Sequence, residues 1–449
     1  MSALPDDFVW GAATSSFQIE GAATAGGRGE SIWDRFCEEP GKIADGSNAV
    51  VACDHYHRYR DDIALMKELG LGGYRFSVAW PRVQPHGHGS ATEAGLDFYE
   101  RLVDGLLESG IRPYCTLYHW DLPQALQDVG GWGARDICDR FADYAEIMVD
   151  RLGDRLKNWF TFNEPWCISH LGHHVGEQAP GVKDPAMALT VAHHVNLAHG
   201  LAVPRLRELC SDGELGIVHN LVPAYPASRS AADQSAAQWF DGFFNRWYLD
   251  PIFGRGYPSD TLRHYGELGL LDPAAPSFIQ PGDLETIAAP IDVLGINYYS
   301  RAISRGPEEA NLPREVFEPA QKDRTDMGWE VFPRGLEDLL VRVHEDYAPS
   351  TLMVTECGVA YSDGPDGDRT INDQKRIEFL RAHLVSCRRA IERGVPLKGY
   401  FAWSLMDNFE WAHGYKMRFG LVWVDFNTLD RIPKQSFHWY RDVIAAGGV

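Results

Sequence analysis

Two short segments, Thr161-Phe162-Asn163-Glu164-Pro165 and Val354-Thr355-Glu356-Cys357-Gly358, each end an apolar run on a glutamate. A β-rich run that stops at a carboxylate reads as a strand delivering one acid at its C-terminal end. Two such strands opening on one mouth supply what cleavage of a glycosidic bond requires: a carboxylic acid to protonate the departing oxygen and a carboxylate to meet the electron-poor carbon. Arg75, in Gly73-Tyr74-Arg75-Phe76-Ser77-Val78-Ala79-Trp80, lies inside an apolar run, where a guanidinium needs a carboxylate or several acceptors. A glutamate beside it would be held ionised, and a carboxyl without a cation in a partly apolar pocket would keep its proton to higher pH. That asymmetry separates a nucleophile from an acid without saying which glutamate is which.

These residues need a frame that converges strand ends. Apolar, β-rich runs occur at 8–10, 73–80, 112–117, 159–162, 215–219, 293–298, 352–355 and 399–404. Amphipathic stretches with three- and four-residue spacing lie between several of them, at 56–69, 94–108, 134–151, 185–207 and 373–393. Alternation of this kind, without a glycine-rich phosphate turn, points to a (β/α)8 TIM barrel rather than an open doubly wound sheet. The polar connections 22–53, 170–184, 228–233 and 300–326 resemble no interdomain linker, so 1–449 is expected to be one catalytic domain with these loops at its C-terminal face. Strands four and seven stand across such a barrel from each other, and active sites lie at the strand C-termini.

Composition narrows the classes of partner. The formal net charge of −21 repels phosphodiester backbones and anionic lipid, so nucleic acid and membrane are not expected partners. No basic start precedes an apolar h-region, and no run approaches the roughly 18 apolar residues of a membrane span, which gives a cytoplasmic, soluble expectation. The 8 cysteines show no CxxC and no short-spaced framework and read as free thiols. The pairs His173-His174 and His193-His194 lack a carboxylate at ligand spacing, so no metal and no cofactor is expected. The 14 tryptophans exceed ordinary core need and suit stacking on sugar rings.

The flanks of the two glutamates carry a resemblance. Thr161-Phe162-Asn163-Glu164-Pro165, Thr355-Glu356-x-Gly358 and Trp403-Ser404-Leu405-Met406-Asp407-Asn408-Phe409-Glu410-Trp411 resemble glycoside hydrolase family 1, and its β-glucosidases in particular. The likeness runs from Phe8-Val9-Trp10-Gly11 to Pro433-Lys434-Gln435-Ser436. It implies a retaining exo-β-glycosidase that acts by double displacement, with Glu164 as acid/base, Glu356 as nucleophile and Arg75 and Tyr299 beside the nucleophile. It further implies contacts to the sugar from Gln18, His119, Trp120, Asn163, Asn297, Tyr299, Trp403, Glu410, Trp411 and Phe419, with Asn163 on the 2-hydroxyl and Trp403 beneath the ring. Trp166, Cys167, Leu171, His174 and Trp329 are expected around the leaving group. The expected partner is a small-molecule β-glucoside or oligosaccharide, as in cellulose breakdown, with β-galactosides and β-fucosides as an alternative class.

Two further alternatives are weaker. A phosphorylated sugar needs a cation near the 6-position, and Glu410 followed by Trp411 would repel it, with Lys416 read as a loop charge. A silent sugar-binding barrel would have lost a glutamate, and neither is lost. One departure stands out: the family places Asn after the nucleophile, and this chain has Cys357. Strand alternation turns Cys357 away from Glu356, so it is expected to pack behind the site. A retaining pair would stand ~5–5.5 Å apart.

Overall fold

The computed structural model describes residues 4–306, 314–315, 324–367 and 369–449. Eight parallel strands close into a barrel: β1 Val9–Ala13, β2 Gly73–Ser77, β3 Arg112–Tyr118, β4 Asn158–Asn163, β5 Glu214–Asn220, β6 Val293–Tyr298, β7 Thr351–Cys357 and β8 Leu397–Trp403. Each pairs with its neighbours in sequence, and β8 returns to β1 through the register Val9 to Gly399 and Ala13 to Trp403. All eight expected runs are strands, with ends displaced by a few residues.

Outside the barrel stand α1 His55–Leu69, α2 Glu93–Glu108, α3 Ile137–Leu152, α4 Pro185–Leu209, α5 Pro333–Tyr347, α6 Gln374–Glu392 and α7 Gln435–Ala446. Their apolar stripes explain the packing: α2 buries Leu96, Tyr99, Leu102, Val103 and Leu106, and α3 buries Phe141, Tyr144, Ala145, Met148 and Leu152. Helix α4 is buried on most of its circumference because α3, the turn before it and the short helix Asp283–Ile287 all pack on it. Between β5 and β6 the chain forms several short helices, beginning with Ala231–Asp241.

Apolar side chains pack the barrel wall on both of its sides. Val9, Ala13, Tyr114, Phe160, Val218, Val293, Met353 and Phe401 fill the barrel interior, and a larger apolar layer lies between strands and helices. Gly11 admits Phe401 to the interior, since a Cβ there would sit 2.3 Å from its ring.

Three expected loops carry more structure than their polarity suggests. Ser31 opens the helix Ile32–Glu38 with a reciprocal capping box to Asp34, inside the stretch 22–53. Ser230 caps the helix Ala231–Asp241 by accepting from the Asp233 amide, so 228–233 ends as a helix start. The stretch 170–184 begins inside the helical segment Cys167–His174. The expected loop 300–326 lies partly outside the described residues. Among the described residues no helix is long and apolar enough to cross a membrane.

Candidate active site

Both glutamates owe their position to a slip in strand register. On β7, Met353 points into the barrel, and strict alternation would send Thr355 inward and Glu356 outward. The pairing with β6 slips between Val354 and Glu356, and that with β8 between Val354 and Cys357. Thr355 then donates inward to Asn297 Oδ1 at 2.8 Å, Glu356 also faces inward, and Cys357 returns to the outer layer. On β4, Thr161 and Phe162 both face outward, against His199 and Phe141, after a slip between Phe160 and Asn163. Asn163 and Glu164 both face inward, with Glu164 leaving the strand at φ 52°, in the left-handed region that few residues other than glycine adopt. Gly358 lets β8 close on this turn: a Cβ there would lie 1.7 Å from the Trp403 carbonyl oxygen.

The two carboxyls have unlike surroundings. Arg75 donates to Glu356 Oε1 at 2.6 Å, to Asn163 Oδ1 at 2.8 Å and to Thr116 Oγ1 at 3.0 Å, so its buried charge is fully engaged. Tyr299 donates to Glu356 Oε2 at 2.6 Å. Among the described residues Glu164 touches no cation: its oxygens accept from Asn297 Nδ2 at 2.6 Å and from the Cys167 thiol at 3.0 Å. Burial raises both carboxyls; at Glu356 the Arg75 charge and the Tyr299 hydroxyl pull back, and Glu164, burdened also by Glu356, is raised to about 7. Asn297 Nδ2 also donates to Asn163 Oδ1 at 3.0 Å, so one amide joins Glu164 to the Arg75 network that holds Glu356.

A third carboxyl completes the inner pocket. Burial raises Glu410 to about 8, with Glu356 and Glu164 adding repulsion. Gln18 Nε2 lies 3.4 Å from it and is steered by Asn408 Oδ1 and the Phe409 carbonyl, both at 2.9 Å. His119 is held neutral by burial and by the Arg75 charge. Because Asn163 Oδ1 is occupied by Arg75 and Asn297, Asn163 Nδ2 is the donor in its 3.0 Å contact with His119 Nε2. His119 therefore carries its hydrogen on Nδ1, which has no partner among the described residues. Trp120 donates to the Asn163 carbonyl at 3.0 Å, and Trp403 and Trp411 both lie nearly parallel to the His119 ring.

The loop bearing Glu410 and Trp411 is pinned by a buried ionic cluster. Asp407 accepts from Lys434 at 2.9 Å, Arg418 at 2.8 Å and the Gly420 amide at 2.8 Å; Lys434 also pairs with Asp363 at 2.7 Å, and Arg376 with Asp363 and Asp373. These contacts tie the loop to the start of α7.

A cavity of about 660 Å³ opens over these groups. Fourteen of the eighteen expected site residues line it: His119, Trp120, Glu164, Trp166, Cys167, Leu171, Asn297, Tyr299, Trp329, Glu356, Trp403, Glu410, Trp411 and Phe419. Arg75, Asn163 and Gln18 are not lining residues, and the hydrogen bonds above join them to residues that are. His174 does not line it; its Nδ1 meets His170 one helical turn back, at 3.1 Å. Lys416 is engaged with the Ala44 carbonyl at 3.1 Å, and Cys357 is fully buried, its thiol raised to about 12 by burial. The residues not anticipated are on the outer wall, chiefly Asn220 at the end of β5 and the Arg301–Glu330 ion pair at 2.7 Å. Asn220 follows an apolar strand and was detectable on the strand-end criterion that selected the glutamates.

The sequence model described as glycosyl hydrolase family 1 matches residues 1–449. "Beta-glucosidase A" of Acetivibrio thermocellus is 48% identical over 99% of both chains. The family 1 β-glucosidase of Thermotoga maritima superposes with a TM-score of 0.95 at 43% identity, covering 100% of this chain and 99% of that one. A structure of the Thermotoga maritima β-glucosidase in complex with castanospermine gives 0.94 at 42% identity, covering 100% of both chains.

Proposed function

Since the chain belongs to glycosyl hydrolase family 1, we propose that it is a retaining β-glucosidase that frees terminal, non-reducing β-D-glucose from short oligosaccharides or aryl and alkyl glucosides. The observation that carries this reading is the unequal setting of two buried carboxyls: Glu356 with a cation and a phenol, Glu164 with neither. In the first step Glu164 gives its proton to the glycosidic oxygen, the electron pair of the C–O bond leaves with the alcohol, and a Glu356 oxygen bonds to the anomeric carbon. In the second, Glu164 takes a proton from water, the water oxygen attacks that carbon, and the ester bond to Glu356 breaks. Glu356 is again ionised and Glu164 again protonated. Two inversions leave the β configuration in place.

The remaining groups have roles that follow from their chemistry. Asn163, oriented by Arg75 and Asn297, offers its amide near the 2-hydroxyl, where a hydrogen bond strengthens as positive charge develops. The free His119 Nδ1–H, Gln18 and Glu410 hold other hydroxyls, and Trp403 supplies the ring floor. Glu410 disfavours a phosphorylated sugar, since it places a carboxyl where a dianion needs a cation, with Lys416 engaged elsewhere. Residues 1–449 act as one catalytic unit, supported by a barrel that joins β1 to β8.

The test is hydrolysis of 4-nitrophenyl β-D-glucoside by folded protein; absence of turnover would overturn the proposal. Glu356→Ala is expected to abolish turnover, and azide is expected to restore it with α-glucosyl azide as product. Formation of the β-azide from that variant would reassign the nucleophile.

A further inference from the structure

The Glu164 carboxyl has two protein partners among the described residues, and they differ in kind. Asn297 brings an amide N–H, which donates only. Cys167, one helical turn beyond Glu164, brings a thiol at 3.0 Å from Oε2, and a thiol both donates and accepts. Cys167 is itself held: it is buried, and Asn220 Nδ2 lies 3.5 Å from its sulfur. Burial and the neighbouring Glu164 raise its acidity range far above neutrality, so the S–H persists throughout.

We propose that Cys167, steered by Asn220, is a positioning residue that orients the Glu164 carboxyl in both of its protonation states. This rests on the reading of Glu164 as acid/base. When Glu164 is ionised, the S–H points at Oε2; once Glu164 is protonated, the sulfur can accept while the S–H turns away. A donor-only neighbour would resist each return of the proton. A sulfur donor is weak, so the ionised form gains little and the carboxyl keeps its proton for delivery to the leaving alcohol. The other groups facing Glu164 are Glu356 from β7, Arg75 from β2, Asn297 and Tyr299 from the end of β6, and Glu410. Of the two hydrogen-bond partners of Glu164 among the described residues, Cys167 is the one able to exchange donor for acceptor without altering the charge of the site.

The test compares Cys167→Ala and Cys167→Ser with the parent enzyme. Profiles of kcat/KM against pH are measured on methyl β-D-glucoside, whose alcohol needs the acid, and on 2,4-dinitrophenyl β-D-glucoside, whose phenolate leaves without it. Cys167→Ser puts a stronger donor beside the ionised carboxyl, so the alkaline limb moves to lower pH by about half a unit. Cys167→Ala removes a donor and moves that limb to higher pH. In Cys167→Ala kcat/KM falls more for the methyl glucoside than for the dinitrophenyl glucoside, by about threefold or more, whereas Cys167→Ser, whose hydroxyl also donates and accepts, stays within about twofold of the parent ratio. Limbs that superimpose on the parent in both variants, or equal losses on both substrates in Cys167→Ala, would overturn the proposal. Thermal melts confirm that each variant is folded. If the parent turned over neither substrate, the β-glucosidase reading itself would fall, which is a different outcome from an unchanged ratio.

Discussion

Replacing Arg75 by methionine keeps much of the side chain and deletes the one cation that Glu356 touches. In the parent, Arg75 reaches Glu356 Oε1 at 2.6 Å with both side chains buried, in a pocket that also holds Glu164 and Glu410. Breaking a buried pair costs ~3–5 kcal/mol, and the lower figure applies because Tyr299 still donates to Oε2. At ~1.4 kcal/mol per pH unit, ~3 kcal/mol raises Glu356 by about two units. The acidic limb of kcat/KM is therefore expected to move up by about two pH units, with a loss of about 10²-fold where the parent limb is already complete. The effect on rate goes further, because a Glu356 that holds its proton more tightly competes with Glu164 for the single proton of the pair. The assay is kcat/KM for 4-nitrophenyl β-D-glucoside across the acidic and neutral range, with circular dichroism to confirm folding. An acidic limb that stays in place while the rate falls would refute the electrostatic argument and leave Arg75 only a scaffold for Asn163.

Tyr299→Phe removes one 2.6 Å bond to a charged acceptor, worth ~1.5–3 kcal/mol, so kcat/KM should fall by about 10- to 100-fold; a change below twofold would contradict it. Glu164 and Glu410 have folded-state values of about 7 and about 8, above the ordinary 4.5, so protonation favours the fold. Their contribution is complete below the ordinary value and disappears as pH rises through about 7 and then about 8. The melting temperature should decline across that window, and Glu410→Gln should flatten the decline; identical pH dependence in variant and parent would count against the buried-carboxyl account. Lys434→Met leaves Asp407 and Asp363 short of a partner at zero exposure for Lys434, which should cost ~3–5 kcal/mol in stability and raise KM through the Glu410 loop. Denaturant unfolding would test it, and a loss under ~1 kcal/mol would mean that Arg418 and Arg376 suffice.

Much of the frame was legible because its signals are local. Eight apolar runs became eight strands, and the spacing of Leu96, Tyr99, Leu102 and Leu106 marked α2. Helix α5 buries Leu336, Leu339, Leu340 and Val343 at the same spacing, and the Ser31/Asp34 and Ser230/Asp233 starts are local too, so their omission reflects polar surroundings that mask short signals. His174 lay in the right segment and faces His170 instead of the cavity, because helical periodicity within Cys167–His174 decides its direction.

The chain alone determined which residue types could do the chemistry: two strand-end glutamates, a guanidinium that had to find an acceptor, and an apolar frame able to converge them. It could not determine direction. Strict alternation places Glu356 outside the barrel, and only the slipped pairing of β7 with β6 and β8 turns it inward. That slip is a property of hydrogen bonds between strands distant in sequence, as are the crowding of Glu164, Glu356 and Glu410 and the contact from Asn297 to Glu164. Residue identity is a local quantity, whereas register, burial and mutual repulsion are sums over neighbours that exist only once the barrel has closed.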